Sequence, residues 1–266
     1  MMYAQTMTSQ DRHAELIQSY ETHVIRLGYS PGTVEQRVAR LRALRVPPDE
    51  ATTADVLESL PADLKPSSRR VYLAALRAAY RDLLTLGLVE RDPTVGVRLP
   101  GAGRSLPRPL LDEEVSVLLA GSGRQRDWTL LGLYAGCRAS DVVGLYAEDL
   151  IRNRSGYALR LHGKGNVEAI VPAHDLVVDL FSRYPARGPL WRMRPDSMSH
   201  RWTAWAMDLG VAARFHQCRH WFATNIYRQS GDLLVTRDLL RHSSVATTQI
   251  YAAVEPENQY RAVAGL

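Results

Sequence analysis

The sequence predicts a mainly α-helical chain in two domains, with one small β-hairpin or sheet. Three observations predict it. Apolar residues recur at helical spacing, as at Leu73, Leu76, Tyr80, Leu83 and Leu84. A single stretch, Leu161-His162-Gly163-Lys164-Gly165-Asn166, reads as a hairpin tip whose glycines permit a tight turn. The segment Leu99-Pro100-Gly101-Ala102-Gly103-Arg104-Ser105-Leu106-Pro107 is rich in Gly and Pro and has no periodicity, which marks a linker. A chain of 266 residues has room for two domains, at roughly 100–200 residues each. The expected division is 1–98, a linker at 99–108, and 109–266.

In the first domain a helix is expected from about Ser9 to Leu27, ending before Gly28. Ser30-Pro31 reads as an N-cap followed by Pro at the first helical position, and the helix it opens runs to about Leu44. A short helix covers about Ala54 to Leu60, and Ser67 or Ser68 opens a long one closed at Gly87. Arg37 and Arg40 lie on the second of these helices; Arg70, Arg77 and Arg81 share a flank of the last, at seven- and four-residue spacing. Such rows are either an ordinary solvated basic face or a face that tracks phosphates. In the second domain helices are expected at about Asp112–Leu119, Arg124–Ala135 and Ser140–Leu145. Strands Tyr157–His162 and Val167–Pro172 flank the hairpin tip. Helices follow at about Ala173–Tyr184, Pro195–Leu209, His216–Arg228, Leu233–Arg241, Ser244–Ala253 and Glu257–Val263.

A net charge of +5 and a sequence pI near 9.3 favour a polyanionic partner. All the cationic residues except Lys65 and Lys164 are Arg, which makes the hairpin Lys conspicuous. No window approaches the roughly 18 unbroken apolar residues of a membrane span. No signal peptide is read, so the expected location is cytoplasmic and nucleoid-associated, with no membrane partner. Cys137 and Cys218 read as reduced packing residues rather than a disulfide.

The chemistry concentrates in the last third. His216-Gln217-Cys218-Arg219-His220 is followed by Leu240-Arg241-His242-Ser243-Ser244 and then Tyr251. Arg138 stands just after Gly136, a residue suited to closing a helix, so its side chain sits at a helix junction. Guanidinium groups fork onto phosphate oxygens. Imidazoles exchange protons near neutrality, and a phenol can act as a covalent nucleophile. Together these groups supply what attack on a phosphodiester requires, with no cofactor and no metal. His216 and His220 have the i, i+4 spacing of a zinc pair. They lack the intervening glutamate of a metalloprotease helix and any clear third ligand, and Arg219 between them disfavours a cation. His220 and Trp221 read as packing or orienting residues, and the other tyrosines, including Tyr80 and Tyr134, as core.

These motifs, in this order from about Leu16 to Tyr260, resemble the tyrosine site-specific recombinases of the phage-integrase and Xer type. The resemblance makes Arg138 the first catalytic Arg, Lys164 the hairpin Lys, His216 and Arg219 the H-x-x-R pair, His242 the late His and Tyr251 the nucleophile. Asp141 matches the acidic residue that follows the first Arg. Cys218 stands where Leu is commonest, and Arg241 replaces the Gly usual before the late His. On this resemblance the fold is a two-domain, C-shaped clamp, a helical core-binding domain plus a catalytic domain. Its expected partners are duplex DNA at two recombination sites, three further copies in a homotetramer, and a directionality or host accessory factor.

The implied reaction passes through a 3′-phosphotyrosyl bond. His216 would take the proton of Tyr251 directly or through water, Lys164 would protonate the leaving 5′ hydroxyl, and His242 would donate to the phosphate. The segment Pro256–Leu266 is expected to dock on a neighbouring protomer. The short lead before the first domain suggests simple attachment sites. The reading favoured is an integrase of a temperate phage or mobile element. The alternatives are a Xer-type chromosome or plasmid dimer resolvase, a type IB topoisomerase, and an inactive DNA-binding accessory protein.

Overall fold

The computed structural model describes residues 8–101, 108–163, 168–242 and 244–254. The chain forms two compact units, Met1–Arg104 and Ser105–Leu266.

The first unit is helical. It contains α1 (Ser9–Arg26), α2 (Pro31–Arg42), α3 (Thr53–Ser59) and α4 (Pro66–Thr85). Thr8 with Asp11, and Thr52 with Asp55, form capping boxes that satisfy the first free amides of α1 and α3. The proposed cap at Ser30 is different: its Oγ lies 2.8 Å from Thr33 Oγ1 and makes no capping bond, leaving Pro31 as the start signal. The long helix likewise opens on Pro66, one or two residues before the expected serine. Ile17, Tyr20 and Val24 meet Val34, Val38 and Leu41, and both rows pack on Leu73, Leu76, Tyr80 and Leu83. Leu84, expected in that stripe, is exposed.

Two of the arginines read as a phosphate-facing row are committed within this unit. Arg37 pairs with Asp82, a carboxylate that also accepts from Tyr20 Oη at 3.0 Å and Tyr29 Oη at 3.3 Å. Arg77 donates to Val97 O at 2.6 Å, closing the chain after α4 onto that helix. Arg40 stacks over the Tyr72 ring at 3.4 Å. Arg70 and Arg81 are exposed, as is Arg77 despite its bond, and Arg70 Nη1 donates to Pro100 O at 3.4 Å.

The second unit begins with α5 (Asp112–Ala120), α6 (Arg124–Ala135) and the short α7 (Ala139–Val143). After a 3-10 turn at Ala147–Asp149 comes a three-stranded antiparallel sheet in the order β1 (Leu150–Asn153), β2 (Gly156–His162), β3 (Glu168–Pro172). Only the last two strands are expected from the sequence; β1 pairs along β2 with Leu150 opposite Leu159. At its far end β2 is anchored, since His162 Nε2 lies 2.9 Å from the buried Asp149 Oδ1. The hairpin tip with Lys164, and the segment beyond 254 with its expected helix, lie outside the described residues.

The remaining helices are α8 (Asp175–Ser182), α9 (Pro195–Asp208), α10 (His216–Ser230), α11 (Leu233–Leu240) and α12 (Gln249–Val254). A single helix over 244–253 was expected. Instead a 3-10 turn at Val245–Thr247 precedes α12, with Thr248 buried at the break. The centre of the unit is α6, buried on nearly every side through Trp128, Leu130, Leu131, Leu133 and Ala135. Thr129, also buried there, accepts from Trp202 Nε1 at 2.8 Å. Gly132 lets α10 approach closely, because a Cβ there would stand 2.6 Å from Cys218 Cβ. Both cysteines are free and buried; burial pushes the Cys137 thiol up to about 12. No helix among the described residues is long and apolar enough to cross a membrane.

Candidate active site

Three chain turns converge around the first two turns of α10. The first is the end of α6, where Gly136 adopts φ 59°, ψ 28°, a left-handed conformation that glycine takes without strain. A side chain there would also strike the Phe222 ring at 2.7 Å. Two residues on, Arg138 caps α7, its backbone N–H donating to Asp141 Oδ2 at 2.7 Å. The second is the end of α11, where Arg241 turns the chain so that His242 follows. The third is the break at Thr248, which delivers α12 and Tyr251.

Helical spacing places His216, Arg219 and His220 on one side of α10. Arg219 is 1% exposed and donates to two helix-terminal carbonyls, Gly136 O and Leu240 O. It therefore ties the ends of α6 and α11 to α10. Burial, with the nearby charges of Arg138 and Arg241, pulls its guanidinium down to about 9. Arg138 has no carboxylate partner for its guanidinium among the described residues.

The Tyr251 ring is buried, 2% exposed, and its hydroxyl lies 2.9 Å from His220 Nδ1. Burial raises the phenol's pKa, while the charges of Arg219 and Arg138 oppose the rise. Burial first, then the neighbours His216, Arg219 and His242, pull His220 down to about 4. His220 is therefore a neutral imidazole at pH 7. His216 packs edge-on against it with ring centroids 4.5 Å apart. Although His216 is exposed at its outer face, crowding by surrounding atoms and the charges of Arg219 and Arg138 keep it below its ordinary value. His242 shares 3.0 Å between Nδ1 and Thr248 Oγ1, and burial with Arg219 and Arg138 brings it to about 4.

Of the residues singled out in the sequence, Arg138, Asp141, His216, Arg219, His242 and Tyr251 come together here; Lys164 lies outside the described residues. The proton acceptor expected for Tyr251 was His216, but the imidazole at hydrogen-bond distance is His220. Its i, i+4 position from His216 was the available signal, because it places both rings on one face. No group of three or more His, Cys, Asp or Glu among the described residues is arranged to hold a metal ion.

The profile of the phage integrase family matches residues 115–258, more than half the chain. The chain belongs to this family. Tyrosine recombinase XerD of Pseudomonas aeruginosa is 35% identical over 216 residues, covering 71% of this chain and 72% of that protein. The integrase of mycobacterium phage Brujita is similar in structure at a TM-score of 0.50 and 28% identity, covering 92% and 89% of the two chains. A lambda integrase fragment (75–356), seen as a dimer on a COC′ core site, has a TM-score of 0.71 at 16% identity over 90% and 94%, a likeness of fold alone. This tyrosine recombinase is thus a site-specific DNA recombinase of mainly helical fold with a small sheet.

Proposed function

We propose that this recombinase integrates a mobile element or phage genome by strand exchange through a 3′-phosphotyrosyl bond, with Tyr251 as nucleophile. The observation that carries the chemical part is the 2.9 Å contact of Tyr251 Oη with a neutral imidazole, beside the Arg138 and Arg219 cations. As Oη attacks phosphorus, its proton passes to His220 Nδ1, with His216 packed behind that ring. Arg138 and Arg219 stabilise the charge that gathers on the non-bridging oxygens, usually the largest single contribution. His242 donates to the same oxygens. The bond to the 5′ oxygen breaks, and that oxygen takes a proton from Lys164. Attack by another 5′ hydroxyl reverses the step, so the phosphodiester energy is kept without ATP.

Each protomer brings one Tyr251, and exchange between two duplexes cuts four strands. Four copies on two sites follow from that count, and a directionality or host factor would choose between forward and reverse exchange. The first unit is proposed as the core-binding domain, with the exposed Arg70 and Arg81 on DNA phosphates, and the second as the catalytic domain. The protein is assigned to the cytoplasm, at the nucleoid. Likeness to a phage integrase over nine-tenths of both chains favours integration. The 35% identity to a Xer recombinase favours a second reading, resolution of chromosome or plasmid dimers.

The test uses nicked duplexes tiled across the DNA flanking this chain's own gene, with a gel shift to follow binding. Wild type should form SDS-resistant protein–DNA adducts and Tyr251→Phe none, while both bind. His220→Gln should form them about 10²–10⁴ times more slowly. Specific binding without any adduct would refute the nucleophile and leave an accessory DNA-binding protein. On the identified site, recombination between two different partner sequences speaks for integration, and recombination between two copies of one site speaks for dimer resolution.

A further inference from the structure

Arg241 occupies a position its backbone does not favour. It ends α11 with φ 56° and ψ 43°, and is the one non-glycine residue with positive φ among the described residues. That region suits Gly and strains residues carrying a Cβ. The turn is otherwise regular: Arg241 N donates to Asp238 O at 3.0 Å and His242 N to Arg237 O at 3.1 Å. Nothing in the turn itself requires an arginine. The side chain reaches across to Asp141, with Arg241 Nη2 2.8 Å from Oδ2, and the two side chains are 12% and 3% exposed. The same carboxylate oxygen accepts the backbone N–H of Arg138 at 2.7 Å.

We propose that Arg241 is a positioning residue that neutralises Asp141, locking the turn that bears His242 to the turn that bears Arg138 and leaving the Arg138 guanidinium free for the scissile phosphate. This deepens the recombinase reading of the site and rests on it. Asp141 lies in the first turn of the short helix that Arg138 caps and is nearly sealed from water. A buried carboxylate seeks a cation. With Arg241 in place it has one. Without it the Arg138 guanidinium, which caps the same short helix and has no carboxylate partner among the described residues, is the one to take its place, and drawing that group onto Asp141 removes it from phosphate binding. Arg219 is less available, being held by Gly136 O and Leu240 O.

The test is a charge-compensation cycle using Arg241→Gly, Asp141→Asn and the double variant, with Arg241→Lys as the conservative control. Adduct formation on the nicked flanking-DNA duplex is measured in single turnover, with binding by gel shift and folding by Trp fluorescence. Gly suits the left-handed turn, so the backbone accepts the first substitution. The expected result is adduct formation slowed by about tenfold to a hundredfold in Arg241→Gly with DNA binding little changed. Adding Asp141→Asn to that variant should recover most of the rate, since the competing carboxylate is gone; Arg241→Lys should stay nearer wild type than Arg241→Gly. A merely structural role gives losses that add. The inference is overturned if Arg241→Gly cleaves at the wild-type rate, or if the double variant is no faster than Arg241→Gly. Failure of wild type itself to form a Tyr251-dependent adduct would instead overturn the recombinase chemistry, and the role of Arg241 with it.

Discussion

Acidification should destabilise the second unit well before its carboxylates titrate, because two of its imidazoles resist protonation. His220 and His242 each fall from 6.5 to about 4 in the folded chain. Unfolded, both take up a proton as the pH drops through 6.5; folded, they stay neutral until about 4. The unfolded chain therefore binds more protons across that window, and stability falls as pH falls from 6.5 to about 4, then levels off. For the mostly buried His220 the full shift corresponds to about 3 kcal/mol. For His242, roughly half exposed, solvent screening reduces the figure to about 1.5 kcal/mol. Between pH 7.5 and 4.5 the two should together cost about 4 kcal/mol, a large share of the roughly 5–15 kcal/mol typical of a whole domain. The groups facing them are His216, Arg219, Arg138, Arg241 and Tyr251, and the cations reinforce the effect of burial. All five tryptophans (128, 191, 202, 205 and 221) lie in this unit, so urea unfolding followed by Trp fluorescence reads it selectively. His220→Gln should remove about 2–3 kcal/mol of the pH dependence. Equal stability of wild type at pH 7.5 and 4.5, or undiminished pH dependence in His220→Gln, would refute the burial argument.

Two further expectations concern packing. Gly132→Ala should destabilise the second unit by about 1–2 kcal/mol despite alanine's better helix propensity, because overpacking wins over the propensity gain. The added methyl would stand 2.6 Å from Cys218 Cβ and 3.2 Å from the Phe215 ring, and a Cβ cannot rotate away; a raised urea midpoint would contradict the close approach of α6 and α10. In the first unit, Asp82→Ala removes the shared acceptor of Arg37, Tyr20 and Tyr29 and strands a partly buried guanidinium. About 2–4 kcal/mol should be lost, seen as faster amide hydrogen exchange in α1 and α2, and unchanged exchange would show the pair to be inconsequential.

How far the sequence disclosed this structure depended on whether the deciding contact was local. Helices such as α4 were legible because an apolar stripe, a proline at the start and a glycine after the end all agree within one stretch of chain. The junction at Arg138 was legible for the same reason. The Leu150–Asn153 strand was not: it has four residues, its last two exposed, and only its pairing with β2 makes it a strand. The break before α12 escaped notice because Thr248 turns its hydroxyl to His242, a contact that competes with helix formation and is invisible to propensity. Nor could spacing tell a solvated arginine from a committed one. The partner of Arg37 lies 45 residues away, and Arg77 is held by a carbonyl 20 residues downstream. His220 falls between these cases: its face was readable from the helix, but its contact with Tyr251 spans 31 residues.

The way the site holds its cations bears on the phosphate binding proposed for it. A buried guanidinium needs acceptors, and a carboxylate would hold it most firmly while cancelling the charge that the reaction uses. Arg219 is held instead by the carbonyls of Gly136 and Leu240, which close α6 and α11 and carry the negative ends of those helix dipoles. Such acceptors satisfy its N–H groups with partial charges only, so its positive charge survives burial. The depression of Arg219 to about 9 still leaves it protonated at neutral pH. The carboxylate placed against this cluster, Asp141, is engaged by Arg241. The result is a cluster whose positive charge is supported by backbone and shielded from its own acid, which is the electrostatic condition that the proposed reaction sets: a dianionic transition state bound more tightly than the phosphodiester it comes from.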